Sequence, residues 1–121
     1  MAPSPHSPLA AHVFQILLSL VDDDLHGYAL IQDIRARTDG EMSLTASTLY
    51  TAVKRLVTAG LIAEVHSSRG GKDDSRRRYY RITTPGRETL RAEAARLDRL
   101  TTMARKKKLL PALRTAAAKE R

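Results

Sequence analysis

Between Thr45 and Thr83 the apolar residues change their period, and that change fixes what this part of the chain can build. Leu49, Val53, Leu56 and Val57 recur at helical spacing, and Gly60 follows as a residue suited to the left-handed position that ends a helix. Thr45 stands before the run as its N-cap. The other face of this helix, Ser47, Thr51, Lys54, Arg55 and Thr58, is polar and basic. Leu61-Ile62-Ala63-Glu64-Val65-His66 is then short and apolar, and Tyr79-Tyr80-Arg81-Ile82-Thr83 reads as a returning strand. Ser67 to Ser75, with Gly70-Gly71, is the turn between them. The segment is a polar-faced helix followed at once by a β-hairpin.

Two more helices are expected before it. The first starts near Pro8, with Leu9, Val13, Ile16, Leu17 and Leu20 on one face. Phe14 and Leu18 lie partly off that face, which suits a helix covered on a second side by another subunit. Asp22, Asp23 and Asp24 end it as an acidic turn. The second runs from about His26 to Thr38, with Leu30, Ile31 and Ile34 inward and Gly40 at its exit. After the hairpin, Thr84 is the expected N-cap and Pro85 the first-turn residue of a long helix. Leu90, Ala94, Leu97, Leu100 and Met103 give it an apolar side, and Pro111 breaks or kinks it.

The fold class expected is mainly α with a small β-hairpin: a winged helix-turn-helix plus a C-terminal dimerisation helix. Residues 1–7 form a disordered arm, 8–84 the winged-helix domain, 85–110 the dimerisation helix, and 111–121 a short helix or frayed tail. A core in 121 residues is marginal, so a second subunit would help to cover it. The predicted dimer interface joins Leu90, Leu97, Leu100 and Met103 to Phe14 and Leu18 of a partner.

Charge narrows the function. Lys and Arg number 21 against 13 Asp and Glu, a formal net charge of +8, which points to a polyanionic partner. Five of the cations, Arg69, Lys72, Arg76, Arg77 and Arg78, fall within ten residues at the hairpin tip, opposed by Asp73 and Asp74. A helix can enter the major groove of double-stranded DNA and present polar side chains to base edges. A basic hairpin beside it can neutralise phosphates. Ser47, Thr48, Thr51 and Lys54 are therefore the base-edge candidates. Tyr28 and Tyr50 either reach a phosphate or pack between helices. Arg55 either reaches a phosphate or pairs with an acid. Tyr80 and Ile82 pack the wing onto the helices. Arg105 to Lys108 either extend the DNA contacts or solvate a helix end.

Other classes lack residues to carry them. There is no cysteine, hence no disulfide and no thiolate-held zinc. His6, His12, His26 and His66 make no recognised metal spacing, and no cofactor is expected. No Ser-His-Asp order, phosphate-cradling glycine loop or paired carboxylate site stands out, so no enzyme is expected. No apolar run approaches the roughly 20 residues that span a membrane. Met1 to Pro8 lack the basic start and apolar stretch of a signal peptide, so the expected location is cytoplasmic.

Several segments in order resemble the PadR family of regulators. Leu25-His26-Gly27-Tyr28-Ala29-Leu30-Ile31-Gln32 is similar to the start of that family's second helix. Thr48-Leu49-Tyr50-Thr51-Ala52-Val53-Lys54-Arg55-Leu56 is similar to its recognition helix. Gly60-Leu61-Ile62, Arg76-Arg77-Arg78-Tyr79-Tyr80-Arg81-Ile82-Thr83 and Gly86 complete the pattern over residues 9 to 100. The resemblance implies a winged-helix DNA-binding domain, a homodimer and a repressor, often of its own gene or of an adjacent transporter or detoxification gene. A small-molecule effector at the dimer interface is compatible with it. Where the family often has a Pro and a Gly, this chain has Leu44-Thr45-Ala46-Ser47. It also has no Trp, so it cannot stack flat drugs between paired tryptophans as some short relatives do. The alternative function is an architectural DNA- or RNA-binding protein without base readout.

Overall fold

The computed structural model describes residues 8–66 and 78–113. The expectations for the arm at 1–7, for the hairpin tip and for the end of the chain from 114 lie outside the described residues. Helix α1 (Ala11–Ser19) is followed by a short strand β1 (Leu25–His26) and helix α2 (Gly27–Arg37). Then come α3 (Ala46–Thr58), strands β2 (Ile62–Val65) and β3 (Tyr79–Ile82), and α4 (Thr84–Lys106). Helix α1 packs against α2 and α4, α2 against α3, and α3 against β2.

The core is where the helical periods pointed. Ile16, Leu17, Leu30, Ile34, Leu49, Leu61 and Ile62 are fully enclosed. Each such side chain stabilises the fold by about 1.5–3 kcal/mol relative to exposure. A polar clamp reinforces the contact of α1 with α2. Arg37 donates to the side chain of Gln15 at 2.6 Å and to its carbonyl at 3.1 Å. It also pairs with Asp33 at 3.1 Å, and Asp33 in turn accepts from Ser19 at 2.7 Å.

The sheet is larger than expected. It has three antiparallel strands in the order β1-β3-β2, so β3 is central and the hairpin is only part of it. Leu25 faces Tyr80 and His26 faces Tyr79 on one side, while Ile62 faces Ile82 and Val65 faces Tyr79 on the other. Two features hold the extra strand. The His26 and Tyr79 rings meet edge to face at 5.3 Å, and Arg81 binds Asp24 through two hydrogen bonds at 3.1 and 2.7 Å.

Helix ends differ from the expectations in three places. Helix α1 begins at Ala11 rather than near Pro8, and its N-cap Ala10 has no side chain able to cap. The cap of α4 is Thr83, not Thr84: its Oγ1 accepts from the Gly86 N–H at 3.1 Å and donates to the Gly60 carbonyl at 2.7 Å. Helix α4 stops at Lys106, before Pro111 can act. Lys108 takes the left-handed conformation (φ 64°), and the Leu109 N–H returns to the Ala104 carbonyl at 3.0 Å. Gly60 closes α3 in the same way, with φ 80° and Leu61 N–H to Leu56 carbonyl at 3.0 Å.

Leu90 corrects part of the predicted interface. It is buried in the core of its own chain, with 6% of its surface exposed, and has little left to offer a second subunit. Phe14 is half-buried against the same core. Leu18, Leu97, Leu100 and Met103 remain exposed in the single chain. Among the described residues no helix is long and apolar enough to cross a membrane.

Candidate nucleic-acid interface

Helix α3 sorts its residues by angle. At about 100° per residue, Leu49, Ala52, Val53 and Leu56 form the buried strip, and Ser47, Thr51, Lys54 and Thr58 lie on the opposite side of the helix. All four of the latter are exposed. Short hydroxyls and one lysine on a free helix face can donate to and accept from base edges. Thr48 is differently placed. Its backbone N–H is capped by Thr45 Oγ1 at 3.1 Å, and its own hydroxyl accepts from Thr45 at 3.1 Å. Part of its hydrogen-bonding capacity therefore serves the helix start. Arg55 lies on the flank towards α1, exposed, with no carboxylate partner among the described residues.

Two tyrosines frame the entrance of α2. His26 caps that helix, its Nδ1 accepting from the Ala29 N–H at 3.1 Å. Tyr28, next in line, is 64% exposed, and its hydroxyl accepts from Gln32 Nε2 at 3.1 Å. Gln32 was not singled out from the sequence. Its spacing of four from Tyr28 on a helix was the available signal. Tyr50 lies over Gly27: a Cβ there would come 2.8 Å from Tyr50 Cζ and closer still to the hydroxyl. The packing role is therefore filled, yet half of Tyr50 stays exposed.

The stem of the hairpin adjoins this site. Arg78 pairs with Glu64 across the strands at 3.2 Å and is still mostly exposed. Tyr80 is buried, as expected for a residue that packs the wing. Burial first, then the Glu64 charge and Tyr50, push its hydroxyl above the ordinary tyrosine value, with Arg78 opposing. The hydroxyl therefore remains a neutral donor throughout the physiological range. Arg69, Lys72, Arg76 and Arg77 lie outside the described residues. Among the described residues, no group of three or more His, Cys, Asp or Glu could hold a metal ion.

Residues 16–92, well over half of the chain, match the transcriptional regulator PadR-like family. The chain belongs to that family. An uncharacterized protein of Lysinibacillus sphaericus is 34% identical to this PadR-like chain over 85 residues, which are 68% of the chain and 74% of that protein. A transcriptional regulator from Clostridium thermocellum superimposes with a TM-score of 0.67 at 28% identity, covering 78% of this chain and 87% of its own. The Bacillus subtilis PadR structure, determined in complex with operator DNA, matches with a TM-score of 0.57 at 23% identity. It covers 69% of this chain and 46% of its own, and it bears on the fold alone.

Proposed function

We propose that this PadR-like chain is a sequence-specific DNA-binding repressor that acts as a homodimer on a palindromic operator. The observation that carries the reading is the free strip of α3, Ser47, Thr51, Lys54 and Thr58, presented opposite the core and beside the stem of a basic hairpin. That strip is shaped to read base edges, while Arg69, Lys72, Arg76, Arg77 and Arg78 supply phosphate neutralisation. Tyr28 and Tyr50 add hydroxyls at the α2 entrance. Membership of the transcriptional regulator PadR-like family supports this assignment of partner.

The dimer follows from what the chain leaves uncovered. Leu97, Leu100 and Met103 on α4 and Leu18 on α1 are exposed apolar side chains for which a second copy is the natural cover. A two-fold dimer presents two recognition helices, and its operator mirrors that symmetry. Selection of bound duplexes from a random pool tests the whole reading. The expected product is a palindrome bound at least ~10³-fold more tightly than unrelated DNA. A protein that binds every duplex alike in proportion to its length would instead be the architectural alternative.

A further inference from the structure

The excess of positive charge is greatest away from the hairpin. Arg99 to Leu113 holds five cations and no acid, and the next acidic residue after Asp98 is Glu120. Every residue from Leu97 to Met103 is exposed, so this part of α4 has left the body of its own chain. Arg105 lies about 28 Å along the helix from Gly86, the residue that abuts Leu61 just after α3. The chain turns at Lys108 and folds back on the helix, where Arg105 Nε donates to the Pro111 carbonyl at 3.1 Å. A groove of about 470 Å³ lies between helix and returning segment, with Arg105, Lys106 and Lys108 at its rim and Leu110 and Leu113 in its wall. Thr102, Arg105 and Lys106 centre on the side of α4 opposite to Leu97, Leu100 and Met103, so the proposed dimer leaves this side open.

We propose that this end of α4, from Arg105 to Leu113, docks on the surface of a bilayer that contains anionic phospholipid. Two features together select that partner. The first is charge: four consecutive cations, Arg105 to Lys108, with no acid near them in sequence, attract a surface of phosphate headgroups. The second is apolar. Leu109 and Leu113 stand 76% and 65% exposed directly beside those cations, and Leu110 is 40% exposed. The backbone of a duplex rewards the cations and offers the leucines nothing. A bilayer interface rewards both, with headgroups at the surface and hydrocarbon a few ångströms below. The lysine stems reach from one layer to the other. No spanning helix is needed for such docking. The α3 face, far along α4, stays free, and the docking surface stands apart from the DNA-binding reading.

The test is flotation of the full chain with vesicles at physiological salt. Vesicles of phosphatidylcholine with about 30% phosphatidylglycerol should carry the chain, and phosphatidylcholine alone should bind it at least tenfold more weakly. Replacing Lys106, Lys107 and Lys108 together by Gln should weaken vesicle binding by about a hundredfold. Leu109→Ser with Leu113→Ser keeps the charge and should still cost about tenfold. All five positions are exposed, so circular dichroism should stay unchanged. The chain has no Trp, so Leu113→Trp supplies a single reporter. Its emission should shift to the blue on anionic vesicles and be quenched by brominated acyl chains. Equal binding to both kinds of vesicle, or full binding by the serine pair, overturns the proposal. If the glutamine triple loses duplex affinity and keeps vesicle binding, the cations serve DNA and the proposal fails. If the serine pair turns a dimer into a monomer by sedimentation, the leucines cover a second copy and the proposal fails as well.

Discussion

Gly86 has no room for a side chain. A Cβ there would collide with the Leu61 carbonyl oxygen and come 2.9 Å from Ile82 Cγ1. That carbonyl is fixed, because it accepts the Thr83 N–H at 3.1 Å. Gly86→Ala should therefore lower stability by about 1–3 kcal/mol, the usual cost of overpacking, seen as a lower urea midpoint. An unchanged midpoint would mean that the junction of α3, β3 and α4 is looser than its geometry. A second residue-level prediction separates reading from anchoring. Thr51→Ala or Lys54→Ala should narrow the gap between operator and random duplex. Arg77→Ala should weaken both together and reduce the slope of log affinity against log salt by about one. Titrations of each variant against both duplexes at several salt concentrations decide it. If the wing variant altered base preference and the helix variants altered only the slope, the two roles would be exchanged.

Among the elements, α1 depends on α4 for its start. Ala10 offers no side-chain cap, and the buried Glu93 of α4 accepts from the Leu9 N–H. Arg96 grips the same carboxylate at 2.8 and 2.6 Å. That hydrogen bond holds the Glu93 carboxyl below the ordinary glutamate value; burial opposes it, and the Leu9 N–H adds to the lowering. The sign follows from a lowered folded value. The stabilisation is complete above the unfolded glutamate pKa and is lost as pH falls through the lower folded one. Urea midpoints of the wild type should thus fall between about pH 5 and pH 3 more steeply than those of Glu93→Gln. Parallel curves would contradict the linkage. Elements with many residues in period were legible in the sequence: α2, α3, β2 and β3 stand within about two residues of expectation. β1 was not legible, because two residues have no alternation and their partners lie at Tyr79 and Tyr80. At the start of α4, Thr83 and Thr84 have the same capping chemistry, and only the position of the Gly86 N–H chooses between them. Its end was set by the turn at Lys108 and not by the visible Pro111. The site was legible as a polar face. The hold of Tyr50 on Gly27 was not, since it needs the crossing of two helices.

At the scale of the molecule, a helical stripe tells which residues are apolar but not whose core they enter. Leu90 and Leu97 share the stripe of α4, yet Leu90 is buried at home while 37% of Leu97 is exposed. Leu97→Glu should therefore spare the folded chain and break the proposed dimer, giving a monomer by sedimentation at micromolar concentration with weakened operator binding. A variant that stays dimeric would move the interface elsewhere. The central position of β3 has one more consequence, for the order of synthesis. α2 and α3 leave the ribosome well before Tyr79–Ile82, the strand that lies between β1 and β2. At about 5–20 residues per second the nascent chain must wait a second or more with both strand edges open. The parts proposed to read DNA are thus made early but locked late, and a message truncated before Tyr79 would yield a chain that has its recognition helix and lacks the strand that holds the sheet together.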